Sequence, residues 1–162
     1  MISLLDIARN DNSLRQYQVQ SKIEIYKAWE TTPSVMFQMP TGTGKTRLFA
    51  SIIKDTQTLA QKNDVHRQGV IVLAHRTELI EQIDETLSNK YNIAHGIIKA
   101  GFEEELKFPV QVASVQTISR RLEKWGKKPF SYIIIDEAHR GMQGREAGKA
   151  TSIMQKFLKG SP

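Results

Sequence analysis

Gln38-Met39-Pro40-Thr41-Gly42-Thr43-Gly44-Lys45-Thr46 carries the residue types that a polyphosphate requires. Gly42 and Gly44 have no Cβ, so the backbone can turn sharply and approach phosphate oxygens closely. Thr41, Gly42, Thr43 and Gly44 can then turn their N–H groups toward one point, at the positive end of a following helix. Lys45 can reach the β- and γ-phosphates of a nucleotide. The Thr46 hydroxyl can bind the Mg²⁺ that bridges them. The pattern is G-x-x-x-x-G-K-[ST], with Met39 where its first glycine would stand. A glycine- and lysine-rich surface turn would also account for the loop alone. The flanks favour phosphate: Val35-Met36-Phe37 reads as a strand, and Leu48, Phe49, Ile52, Ile53 and Leu59 have helical spacing.

A second group of chemical residues follows Ile133-Ile134-Ile135, namely Asp136-Glu137-Ala138-His139. Ligands of open α/β sheets collect at the carboxyl ends of strands. Asp136 there would hold Mg²⁺, through water because Mg²⁺ keeps much of its hydration shell. Glu137 is placed to orient and deprotonate an attacking water. His139 could link the nucleotide site to another ligand. A solvated acidic strand end is the plainer alternative, but the upstream phosphate loop argues against it. The expectation is that Lys45 and Asp136 lie side by side around one metal-bound triphosphate.

These residues need a scaffold. Val19, Ile23, Tyr26 and Trp29 predict a helix over 14–30, while residues 1–13 are mixed, with a turn cluster at Asn10-Asp11-Asn12-Ser13. The phosphate-loop strand spans 34–38 and its helix about 45–62. Gly69 to Ala74 is a continuous apolar run, as in a strand buried on both faces. A helix over 77–90, a strand over 93–98, an acidic irregular connection over 101–108 and a strand over 110–114 follow. A helix over 115–125, a strand over 131–135 and a helix over 146–158 complete the chain. Alternating strands and helices predict an α/β fold around a mostly parallel sheet.

Taken together, the motifs resemble a known family. Met39 to Thr46 with Asp136 to His139 is similar to motifs I and II of superfamily 2 helicases. The closer likeness is to the group holding the restriction subunit of type III restriction enzymes, the excision-repair helicases and related DEAD/DEAH-box proteins. Leu14-Arg15-Gln16-Tyr17-Gln18 resembles the element ahead of motif I whose glutamine reads the adenine edge, here Gln18. Val72 to Gln82 resembles motif Ia, and Ala113 to Ile118 resembles a later strand-end element; both grip the nucleic-acid backbone in that family. The likeness covers about residues 14–140. It implies a RecA-like P-loop NTPase lobe in a three-layer sandwich. It also implies ATP and Mg²⁺ as cofactors and DNA, rather than RNA, as partner.

The accessory residues have physical readings of their own. The Gln18 carboxamide matches adenine N6 and N7; a solvated helix residue is its alternative. Tyr17 reads as core rather than as a stacking platform. Arg76 begins a helix beyond a strand end, where phosphate is favoured, although it could simply pair with a nearby glutamate. Gln116 and Thr117 hold the corresponding place after a later strand. Such residues position a phosphodiester chain without reading its sequence. Arg120, Arg121, Lys124, Lys127 and Lys128 form a solvated basic face or a widening of that track, with Trp125 anchoring the helix. His66 and His95 have no companion at metal-ligand spacing.

No Ser/Thr-Ala-Thr element follows His139, although the family places one on the next strand. The resemblance therefore implies the N-terminal lobe of a longer enzyme, incomplete at its C-terminal end and without a second RecA-like domain. That domain supplies arginines worth about 10³–10⁵ in rate. The absent strand would lie between the phosphate-loop and acidic-motif strands, so a central gap in the sheet is expected. The rival is a binding module that holds nucleotide without turnover; an RNA-directed lobe is a further alternative.

Bulk properties agree with this frame. The 162 residues suit one domain. A net charge of +6 favours an anionic partner. The absence of cysteine excludes disulfides and thiolate metal sites and is compatible with a reducing cytoplasm. The longest apolar runs are too short to cross a bilayer, so no membrane partner is expected.

Overall fold

The computed structural model describes residues 3–9, 12–32, 35, 44–63, 69–74, 77–125 and 130–135, in two units, Met1–Arg67 and Gln68–Pro162. The first unit is helical where described. Helix α1 (Leu4–Ala8) was read as mixed sequence. A reciprocal capping box starts it: the Asp6 amide donates to Ser3 Oγ at 3.3 Å, and Asp6 Oδ2 accepts from the Ser3 amide at 2.9 Å. Those bonds hold the Asp6 carboxyl below the usual carboxylate range. Helix α2 (Gln16–Trp29) begins two residues later than expected, with Arg15 as its cap. Helix α3 (Lys45–Lys62) begins and ends as predicted.

The apolar stripe expected on α2 is displaced. Its buried residues are Gln18, Lys22, Ile25 and Tyr26, while Val19 and Ile23 are only half-buried. The reading of Tyr17 as core is also corrected: it is 45% exposed. At about 100° per residue, position 17 points away from the face that carries 18, 22 and 26.

Among the described residues the second unit has four parallel strands in the order β2-β3-β1-β4. Strand β1 (Val70–Ala74) lies between β3 (Val110–Ser114) and β4 (Tyr132–Ile135), and β2 (Gly96–Ile98) pairs with β3. All five residues of β1 and of β3 are buried, β1 as a continuous apolar run covered on both faces and β3 with Gln111 and Ser114 among its buried residues. One face presents Ile71, Leu73 and Ala113, which cluster with Ile98, Val115, Ile118 and Phe130. Helix α5 (Val115–Trp125) supplies two of these and follows β3 without a loop. Helix α4 (Thr77–Glu85) buries Ile80 and Ile83 and touches β1 and β3.

Two elements differ from expectation. The helix predicted over 77–90 widens into a π turn at Thr86–Lys90. Its end is closed by Asn92 at φ 51, a backbone region that asparagine tolerates, and by the Ile93 amide donating to Leu87 O at 2.8 Å. The strand predicted over 93–98 shortens to Gly96–Ile98, and the Ile93 amide is committed to that closure. The phosphate-loop strand, the 146–158 helix and the expected sheet gap lie outside the described residues. Among the described residues no helix is long and apolar enough to cross a membrane.

Burial raises the Tyr132 phenol above its ordinary value near 10. The folded state then keeps a proton that the unfolded chain releases. Its contribution is complete below about pH 10 and is lost as pH rises through the folded-state value. Tyr132→Phe is expected to reduce the alkaline loss of stability, read by urea unfolding from pH 8 to pH 11.

Gly96 faces Gln111 across the β2–β3 pair. A Cβ there would overlap the Gln111 carboxamide. Gln111 is fixed, because Nε2 donates to Glu105 O at 2.9 Å and Phe108 O at 2.8 Å. Those bonds tie the acidic connection to β3. Gly96→Ala is expected to cost about 1–2 kcal/mol in denaturant unfolding.

Candidate functional site

The described part of the phosphate loop is its last residue and the helix it opens. Gly44 takes a left-handed conformation, φ 79 and ψ 34. A residue with a Cβ is strained there. That turn sends the chain into α3, where the Leu48 amide is the first to bond within the helix, to Gly44 O at 3.1 Å. The amides before it point out of the helix end. No acidic residue stands in the first turn, whereas Lys45 and Arg47 do. Lys45 and Thr46 are half-buried in that turn. A positive helix end with a Cβ-free turn fits a polyphosphate.

Gln18 meets this turn. It is 2% exposed, which excludes the solvated alternative. Its Nε2 donates to Gly44 O at 3.2 Å, and its Oε1 accepts from the Arg15 amide at 2.9 Å. Two of the sequence motifs, far apart in the chain, are therefore in direct contact. Their meeting point is the end of α3 that would receive phosphate.

Further along the same helix pair lies a group that the sequence reading missed. The Lys22 ammonium, fully buried, lies 2.8 Å from Asp55 Oδ2 and donates to Ser51 Oγ at 2.8 Å. The Tyr26 hydroxyl donates to the same Asp55 oxygen at 2.7 Å. The spacing 18, 22, 26 on α2 and 51, 55 on α3 was the available signal. Lys22, Ser51 and Asp55 were given no role from sequence, because a polar residue shows its burial only through a partner distant in sequence.

In the second unit, Gln116 and Thr117 sit half-buried in the first turn of α5, directly after β3. Gln116 Oε1 accepts from Ser114 Oγ at 2.9 Å, which holds it against the strand end. In the basic run, Arg120 is exposed, while Arg121 donates to Glu104 at 2.6 Å. His95, given no role from sequence, bridges Ile93 O at 2.8 Å and Asp84 Oδ1 at 2.6 Å. It borders a cavity of about 370 Å³ that also touches Ser88, Phe102 and Glu105 and contains none of the nucleotide residues.

Thr41, Gly42, Thr43, Arg76, Asp136, Glu137 and His139 lie outside the described residues, as do His66, Lys127, Lys128 and the side chains of Lys124 and Trp125. So does the expected meeting of Lys45 with Asp136. Among the described residues no three His, Asp or Glu side chains gather as metal ligands.

Comparison with known proteins adds independent information. The family described as type III restriction enzyme, res subunit, matches residues 11–160. A Saccharomyces cerevisiae protein named as a candidate ATP-dependent helicase, IRC3, is 34% identical over 154 residues, covering 89% of this chain and 21% of its own. The DNA 3'-5' translocase XPB2 of Sulfurisphaera tokodaii is 29% identical over 126 residues, covering 78% of this chain and 25% of its own. The chain thus spans about a fifth to a quarter of these relatives. Among solved structures, a nuclease-deletion mutant of the type ISP restriction-modification enzyme LlaGI, in complex with a DNA substrate mimic, aligns with a TM-score of 0.64 at 20% identity, over 79% of this chain and 15% of that one. That likeness establishes the fold, an α/β RecA-like lobe. With the family matched over nearly its whole length, the chain belongs to the type III restriction enzyme res subunit family and is a superfamily 2 helicase lobe.

Proposed function

We propose that this chain is the ATP-binding lobe of a DNA helicase or translocase, acting with a second RecA-like domain in a longer polypeptide. The observation that carries the reading is the junction of Gln18 with Gly44. It puts a carboxamide able to read a purine edge beside a helix end suited to a triphosphate.

In this reading Gln18 binds adenine, and a guanine base would leave buried polar groups unpaired. Thr41, Gly42, Thr43 and Gly44 cradle the phosphates, and Lys45 offsets charge that grows as the γ-phosphate departs. Thr46 and Asp136 would hold Mg²⁺, which when bound neutralises part of the phosphate charge. Glu137 takes the proton of the attacking water, and His139 relays the nucleotide state toward the nucleic acid. Arg76, Gln116 and Thr117 grip the phosphodiester backbone. The names of the relatives, which speak of DNA translocation and a DNA substrate mimic, support DNA over RNA.

The deciding experiment measures ATP hydrolysis by the longest polypeptide containing residues 1–162, with single-stranded DNA, duplex DNA or RNA added. DNA stimulation is expected. Stimulation by RNA alone would reassign the partner. ATP binding without turnover under every condition would leave a non-hydrolysing module.

A further inference from the structure

We infer that Lys22, Asp55, Ser51 and Tyr26 are positioning residues that set the register of α2 on α3 and thereby hold Gln18 at Gly44. The inference rests on the reading of Gln18 as the base-reading residue and adds to it the groups that keep Gln18 in place. Gln18, Lys22 and Tyr26 repeat every four residues and form one stripe of α2. Their partners advance in the same order along α3: Gly44, then Ser51 and Asp55, then Asp55 again.

Apolar burial on the two helices, at Ile25 of α2 and at Leu48 and Ile52 of α3, is not directional. Sliding one helix by a turn moves it about 5.4 Å. Such a slip would take the Gln18 carboxamide out of reach of Gly44 O. A buried ammonium held by one carboxylate and one hydroxyl cannot slide without losing both. Buried ionic groups are best attested in this role of fixing a register. The Arg15 amide sets the remaining freedom, because it orients the carboxamide with Oε1 toward the helix cap and Nε2 toward Gly44.

The test compares the wild-type chain with Lys22→Met/Asp55→Leu, which replaces the ion pair by apolar groups of similar size. Two readouts are used. One is exchange protection of the Gln18 side-chain amide by NMR without nucleotide. The other is the affinity ratio for fluorescent ATP and GTP analogues. In the folded double variant, Gln18 is expected to lose protection and ATP selectivity to fall about tenfold, the worth of roughly one hydrogen bond. Unchanged selectivity or unchanged protection in a folded variant overturns the inference. If the wild type does not prefer ATP, the base-reading proposal fails, and Gln18 protection alone decides whether the ladder positions it. Should the double variant not fold, Tyr26→Phe/Ser51→Ala keeps the ion pair, removes both hydroxyl partners and is judged by the same two readouts.

Discussion

Lys22→Met is expected to destabilise the first unit by about 3–5 kcal/mol, the usual cost of stripping one partner from a buried ion pair. The Lys22 side chain is fully buried and that of Asp55 is 6% exposed, so water cannot replace the lost ammonium. The carboxylate would keep the Tyr26 hydroxyl. A neutral donor such as this hydroxyl does not compensate a buried negative charge as an ammonium does. The Ser51 hydroxyl would lose its donor at the same time. A domain has only about 5–15 kcal/mol of net stability, so the single variant should unfold at much lower urea. Adding Asp55→Leu should recover most of the loss, since an apolar pair of similar volume is often as stable as the ion pair it replaces. Urea unfolding of the single and double variants, followed by circular dichroism, checks both statements. A single variant within about 1 kcal/mol of wild type would mean that the pair is far better hydrated than its burial indicates.

The same residues explain what was legible in the sequence and what was not. Helix α3 could be bounded to the residue because Gly44 marks its start and an apolar period runs along its length. Strand β1 was legible because a strand buried on both faces favours Val, Ile, Leu and Ala, and β3 because Val110, Val112 and Ala113 mark it despite the buried Gln111 and Ser114. Helix α2 buries a stripe shifted from the predicted one, with Tyr26 common to both, for a reason of the same kind. Its buried stripe contains Gln18 and Lys22, and a polar residue declares its burial only through a partner distant in sequence. The Gln111 side chain, spanning from the sheet to the acidic connection, was hidden in the same way. Helix α1 could have been found from Ser3 and Asp6 at capping-box spacing, although five residues carry almost no period. At the candidate site, Gln18 and Gly44, each named from a separate motif, are in contact. The burial and orientation of that carboxamide came only from the coordinates.

Gly44→Ala is expected to cost about 2–5 kcal/mol and to weaken ATP binding beyond what the stability loss explains. Three effects act together at this one position. The left-handed backbone, φ 79, costs a residue with a Cβ about 1–2 kcal/mol. The added methyl would overlap Gln18 Nε2. That atom ends a flexible side chain, so the overlap can be relieved, but only by giving up its bond to Gly44 O. A buried carboxamide and a carbonyl at the helix start then lose a partner, at about 1–3 kcal/mol. Relaxing the turn instead would redirect the first amides of α3 and the course of Lys45 and Thr46 behind them. Either escape disturbs a group proposed to meet the nucleotide, Gln18 in one case and the start of α3 in the other. Gln18→Ala separates the two. It removes the obstructing amide but keeps the backbone, so the double variant Gly44→Ala/Gln18→Ala should regain the part of the loss that came from overlap and none of the part that came from φ. Denaturant unfolding and titration with a fluorescent ATP analogue on the two single variants and the double supply the cycle. Full recovery in the double would place the whole cost at Gln18 and remove the backbone argument.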